Sequence, residues 1–212
     1  MKQGLALDID ETLSRTNVFW IESMSKLFGN PENLTPIELS KKYRYTQNVP
    51  YWQTPEANVW MEEARNSNDF QEHIPLIENA HNIVQKVNQI IPIAAYITAR
   101  PEVVRPGTEL WLKKHGFPEV RLIMRPDSIS SAESTQWKAG VLEEMYPEVM
   151  GIVDDYPSLV DNLSVDYKGV VFLYDTENHT NSSKNIIPCP TWDDVYDEVL
   201  KYKARNPNIN IS

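Results

Sequence analysis

Short unbroken apolar runs recur along the chain, separated by stretches in which apolar residues return every three or four positions. The runs are Gly4-Leu5-Ala6-Leu7 and residues 91–97, 120–124, 149–153 and 169–174. Runs this short, without polar alternation, predict strands buried on both faces. The stretches between and after them predict helices. One holds Leu110, Trp111 and Lys114 and closes on His115-Gly116; others cover 134–146, 157–163 and 192–202, the last with Val195 and Val199 four apart. Strands alternating with helices predict an α/β architecture built on a Rossmann-like parallel sheet.

Between Leu13 and Asn88 the alternation stops. Helical spacing covers 18–28, 36–43, 55–65 and 76–87, and aromatic residues are dense: Phe19, Trp20, Phe28, Tyr43, Tyr45, Tyr51, Trp52, Trp60 and Phe70. The organisation this predicts is a helical insertion, 15–88, after the first strand, with 1–14 and 89–212 forming the α/β core. Large rings in a small helical unit supply its buried surface, and one or two of them facing a site would suit a planar base. The tail from Asn206 is polar and is expected to fray.

Composition narrows the function classes. The chain has 212 residues, of which 41% are hydrophobic, enough for a packed core. A net charge of −10 disfavours nucleic-acid backbones and anionic lipid unless a local basic strip, such as Arg100, Arg105, Arg121 and Arg125, overrides it. The single cysteine, Cys189, can form neither an internal disulfide nor a cysteine zinc site. The four histidines, His73, His81, His115 and His179, show no paired ligand spacing. No apolar run approaches the roughly 18 residues of a membrane helix. The first residues run directly into the first strand, too short for a secretion signal's apolar segment. These features predict a cytoplasmic protein whose sequons, such as Asn33-Leu34-Thr35, carry no sugar.

In open parallel sheets ligands bind beyond the carboxyl ends of the strands. The first strand delivers Asp8 and Asp10 there, the second Thr98 followed by Ala99-Arg100, and the fourth Asp154 and Asp155; Lys138 lies on the helix before that last strand. Three or more carboxylates in one pocket raise each other's pKa, and a hard divalent cation such as Mg²⁺ resolves the conflict with oxygen ligands alone. Thr98 and Lys138 are then donors for an anionic ligand, most simply a phosphate. Arg100 either joins them or pairs with an acidic neighbour. A calcium loop is the competing use of Asp-x-Asp-x-Thr, but its glycine and glutamate positions hold Leu13 and Phe19.

Asp8-Ile9-Asp10-Glu11-Thr12, Thr98 after an apolar run, Lys138, and Val153-Asp154-Asp155 follow one another in the order of the four motifs of the haloacid dehalogenase (HAD) superfamily, which the sequence resembles. The resemblance implies a HAD fold with a cap inserted after the first strand. It implies that Asp8 attacks phosphorus and that Asp10 serves as acid and then base. Mg²⁺ would be held by Asp8, the backbone carbonyl of Asp10 and Asp154, with Asp155 as a further or alternative ligand. Thr98 and Lys138 would hold the phosphoryl oxygens. The second aspartate favours a phosphatase over the family's dehalogenases and pumps. Glu11 departs from the glycine that many members carry, and it is tolerable there if its side chain points to solvent.

The insertion's length, Ile97-Thr98-Ala99-Arg100-Pro101 and the Asp154-Asp155 pair are similar to the 5′(3′)-deoxyribonucleotidase group. Arg105, Trp111-Leu112, Gly116-Phe117-Pro118, Leu122 and Met124-Arg125 also resemble the phosphatase domain of polynucleotide kinase/3′-phosphatases. The expected substrate is a small phosphomonoester such as a nucleoside monophosphate. A polynucleotide 3′-end or a non-catalytic, phosphate-binding role are the alternatives.

Overall fold

The computed structural model describes residues 3–179 and 184–210. Its centre is a six-stranded sheet made of β1 (Gly4–Leu7), β2 (Ile93–Pro101), β3 (Arg121–Arg125), β4 (Val149–Asp154), β5 (Val170–Tyr174) and β6 (Asn185–Cys189). The spatial order is β3-β2-β1-β4-β5-β6, and every neighbouring pair is parallel. The first strand therefore sits near the middle, with β2 on one side and β4 on the other. The chain reverses its direction of strand addition at β1, so a crevice opens beyond that strand's carboxyl end.

Nine helices appear among the described residues: α1 (Thr16–Phe28), α2 (Pro36–Tyr43), α3 (Pro55–Arg65), α4 (Asn68–Glu72), α5 (Ala80–Ile90), α6 (Arg105–Lys114), α7 (Ser134–Glu144), α8 (Pro157–Asn162) and α9 (Trp192–Arg205). Leu5, Leu7, Val84, Trp111, Phe172 and Val195 belong to the apolar layer that joins one sheet face to α5, α6 and α9. Ala6, Ile97, Leu142, Ile152 and Val160 form the layer on the other face, under α7 and α8. Successive residues of β1 thus feed opposite cores, which is why its run is apolar throughout.

The insertion has a core of its own. Ile21, Met24, Leu39, Trp52 and Met61 pack together, with Trp20, Phe28 and Trp60 partly buried against them. The indole of Trp52 donates to Gly29 O at 2.9 Å. The chain leaves and re-enters through paired linkers: Arg15 N–H donates to Pro75 O and Ile77 N–H to Leu13 O, both at 2.8 Å. This pairing keeps Leu76 and Ile77 extended and starts α5 at Ala80, later than helical spacing alone predicts. Beyond the crossing, α5 lies on the sheet.

Two elements depart from the sequence expectation. β6 is an additional strand; Pro188 within it removes a backbone donor, which an edge strand tolerates and a central one does not. β2 continues through Pro101, so Thr98 lies within the strand rather than after it.

Candidate active site

The carboxyl ends of β1 and β4 lie side by side, with Leu7 opposite Val153. Asp8 and Asp154 follow from this register at adjacent positions. Asp8 is 5% exposed and Asp154 fully buried. Lys138, 6% exposed on α7, reaches both: its ammonium donates to Asp8 Oδ1 and lies 2.5 Å from Asp154 Oδ2. Asp154 Oδ1 accepts the Tyr156 N–H at 2.8 Å.

Asp155 completes the acidic group. One carboxylate oxygen from each of Asp8, Asp154 and Asp155 lies within 4.8 Å of the others. Thr12 holds Asp155 at two points, donating from Oγ1 to its carboxylate at 3.3 Å and accepting its N–H at 3.1 Å. Burial, and then the charges of Asp154 and Asp8, raise Asp155 well above its ordinary pKa. Asp8 is pushed up to about 7, chiefly by burial and by Asp154 and Asp10, against the opposing charge of Lys138. Lys138 goes up, because Asp154 and Asp8 together outweigh the effect of burial.

One ammonium against three crowded carboxylates leaves negative charge unbalanced. Asp154 Oδ2 is shielded from solvent and accepts no hydrogen bond, although the lysine charge lies beside it. A hard divalent cation fits both observations, since the donors are all oxygens and one buried oxygen still has a vacant lone pair.

The carboxylate of Asp10 turns away from this cluster. Arg100, 4% exposed, grips it with Nε at 3.0 and 3.2 Å and Nη2 at 2.7 Å. Thr16 donates to the same carboxylate at 2.5 Å and Ser14 at 3.3 Å. Although burial opposes it, the Arg100 guanidinium holds Asp10 below the usual carboxylate range. Arg100 forms the ion pair with an acidic neighbour that the sequence allowed, and it also lines the cavity beside Asp10. Thr98 is fully buried two residues past Tyr96, the β2 partner of Leu7, and its hydroxyl accepts the Arg100 N–H at 3.2 Å.

Glu11 adopts a positive φ of 58°, the conformation that glycine enters most easily. It does not extend to solvent. Its carboxylate accepts the Asn17 N–H at 2.6 Å and so caps α1, whose own N-cap residue, Arg15, makes no side-chain bond. Burial raises Glu11 to about 7.

A cavity of about 250 Å³ lies between the sheet edge and the insertion. Asp10, Glu11 and Arg100 line it from the sheet, and Trp20, Tyr45 and Arg65 from the insertion. The other rings of the insertion pack mainly on one another, as Trp60 does on Trp20 and Phe70.

Sequence reasoning passed over Ser14 and Thr16, which fix Asp10, and Trp192, whose indole donates to Thr12 O at 2.9 Å and supports the loop after β1 from the far end of the chain. Hydroxyl residues directly after the paired aspartates were a visible signal for the first two. Nothing local marks the third.

A family model described as the PITM 1-3 LNS2 domain matches residues 65–167, just under half of the chain, and stops short of Asp8 and Asp10. No curated protein matches the sequence significantly. Among solved structures, a haloacid dehalogenase-like hydrolase from Xanthomonas campestris superposes with a TM-score of 0.51 at 14% identity, covering 98% of each chain. The HAD-hydrolase YfnB of Bacillus subtilis, solved bound to magnesium, gives 0.51 at 12% identity over 93% of this chain and 98% of its own. At these identities the likeness is one of fold.

Proposed function

The chain has the fold of the HAD hydrolases, and we propose that it is a Mg²⁺-dependent phosphomonoester hydrolase that works through a phosphorylated Asp8. The observation that carries this reading is Asp8 itself: a nearly buried carboxylate at the end of a central strand, paired with Lys138 and within 4.8 Å of two further carboxylates. Asp8, Asp154 and Asp155 would hold the cation, joined by the backbone carbonyl of Asp10. When bound, the cation supplies the positive charge that a phosphoryl group needs in a pocket already rich in carboxylates.

The chain's own residues divide the remaining work. Asp8 attacks phosphorus, the bond to the alcohol oxygen breaks, and its electron pair leaves with that oxygen, which takes a proton from Asp10. Water then attacks the aspartyl-phosphate and gives its proton to Asp10, which releases inorganic phosphate and restores Asp8. Lys138 offsets charge on Asp8 and on the phosphoryl oxygens, and Thr98 offers a hydroxyl at the same edge. Against the effect of burial, the Arg100 pair lowers the pKa of Asp10, so its acid form gives up the proton readily to the alcohol oxygen and leaves the carboxylate as base for water. The part of the insertion between the paired linkers, 16–74, acts as the cap that excludes bulk water and bulky substrates, while α5 packs on the sheet. Trp20 and Tyr45 in the cavity wall favour a substrate with a planar base, such as a nucleoside monophosphate.

The test is phosphate release from nucleoside monophosphates, sugar phosphates and a 3′-phosphorylated oligonucleotide, with Mg²⁺, with EDTA, and with the Asp8→Asn protein. Release that needs Mg²⁺ and vanishes in the variant is the expected result. No release above the variant on any substrate, from folded protein, would mean a phosphate-binding module rather than an enzyme.

A further inference from the structure

The cavity wall formed by the end of β3 carries a guanidinium without a counter-ion. Arg125 is 6% exposed and lines the cavity. Its Nε donates to Ala99 O at 3.1 Å, and its Nη1 donates to the carbonyls of Ile129 and Pro126. These bonds fix the plane of the group and leave Nη2 for the cavity. Among the described residues, no ion pair includes Arg125, whereas buried Arg100 and Lys138 both have carboxylate partners. A buried cation held only by carbonyl dipoles is unfavourable unless an anion completes it.

A second arginine reaches the same place from the insertion. Arg65, the last residue of α3, lines the cavity beside Ser131 and Ser134. Burial first, and the Arg65 charge with it, holds Arg125 below the usual arginine range, against the pull of Asp127 and Glu62. Neither carboxylate makes an ion pair with Arg125: Glu62 pairs with Arg65 at 2.5 Å, and Asp127 accepts the Val103 N–H at 3.2 Å. Glu62, 64% exposed, offsets Arg65 from the solvent side, and an anion inside the cavity would offset both guanidiniums from within.

We propose that Arg125 and Arg65 seat a second anionic group of the substrate, so that the preferred substrates are small phosphomonoesters bearing a carboxylate or a further phosphate, a nucleoside carrying two phosphates among them. The proposal rests on the phosphatase reading for the position of the reacting phosphoryl group. A guanidinium fork suits either anion, because both present paired oxygens. One arginine belongs to the sheet and the other to the insertion, so an anion between them also ties the insertion down over the site. A purely structural Arg125 would hold the 126–131 segment and nothing more. Arg65 makes no bond to that segment, and its substitution separates the two roles.

Calorimetric titration with unreactive phosphonates in the presence of Mg²⁺ tests this without turnover. The probes are propylphosphonate, phosphonobutyrate and propylenediphosphonate, which have a neutral, a carboxylate and a phosphonate tail. The wild-type protein should bind at least one doubly anionic probe about tenfold or more tighter than propylphosphonate. Arg65→Ala and Arg125→Lys should each bring that ratio down toward one. The better of the two tails identifies the anion. Equal affinities in the wild type, undetectable binding of all three included, or a ratio that survives both substitutions would overturn the proposal. If the ratios behave as expected while no phosphomonoester is hydrolysed, the anion seat stands and the phosphatase reading falls.

Discussion

Arg100 and Asp10 meet through three short contacts, and removing one partner leaves the other poorly satisfied. Arg100→Ala should destabilise the protein by about 2–3 kcal/mol, less than the ~3–5 of a fully buried pair, because the Asp10 side chain is 31% exposed. Urea denaturation measures this. Arg100→Lys should recover little, since an ammonium cannot reproduce the fork. Asp8 makes a second prediction, in pH. Its pKa in the folded protein is about 7 against an ordinary 3.8, so the folded state binds the proton more tightly than the unfolded one. The resulting stability is full below the unfolded value and is lost as pH rises through about 7. A cation needs the ionised carboxylate. The rise in Tm on adding Mg²⁺ should therefore be small roughly two pH units below the folded pKa and should grow as pH passes through it, as thermal scans across pH would show. A Mg²⁺ shift independent of pH would exclude Asp8 as a ligand.

At the scale of elements, the insertion keeps an apolar cluster apart from the two that clothe the sheet. Trp52→Ala, which empties a fully buried indole site and its bond to Gly29, should cost about 3–5 kcal/mol. Hydrogen exchange should speed up first in α1, α2 and α3, while amides of β1 and β4 stay protected. Uniform loss of protection would show that the insertion and sheet unfold as one unit. Which elements could be read from sequence follows from the same packing. β1, β3, β4 and β5 are short apolar runs, and Asp8 and Asp154 lie where strand-end logic places them, with Lys138 reaching them from α7. β6 was hidden because Pro188 and the edge position give it no strand signature. The start of α5 was hidden because linker pairing, not propensity, holds Leu76 and Ile77. The environments of Arg100 and Arg125 depend on which segments fold over them, and no spacing in the chain encodes that. Glu11 shows the opposite case. A position that favours glycine holds a glutamate because its carboxylate finds work at the start of α1.

For the molecule as a whole, the insertion packs most tightly on the sheet domain where α4 meets α6. Gly107 of α6 donates its N–H to Asn68 Oδ1 of α4 at 2.7 Å, and a Cβ there would lie 2.3 Å from the Asn68 carbonyl oxygen. Gly107→Ala should push α4 off α6 and destabilise the protein by about 1–3 kcal/mol. Because α4 follows directly on Arg65, the variant should also change KM more than kcat, which steady-state kinetics on the best substrate would separate. Gly140, by contrast, lies inside α7 with nothing within 4 Å of such a Cβ, and Gly140→Ala should leave KM and kcat unchanged while stabilising the protein by about 0.5–1 kcal/mol.

Trp192 holds the carbonyl of Thr12, and Thr12 holds Asp155. The loop after β1 thus depends on a helix 180 residues further along the chain. On the ribosome, Asp8 and Asp10 emerge before any strand that will flank them, and the loop that carries them gains its outer support only when α9 is released. Until α9 has folded back, the carboxylates at the end of β1 lack that support, so their cluster is completed only by a late, long-range contact.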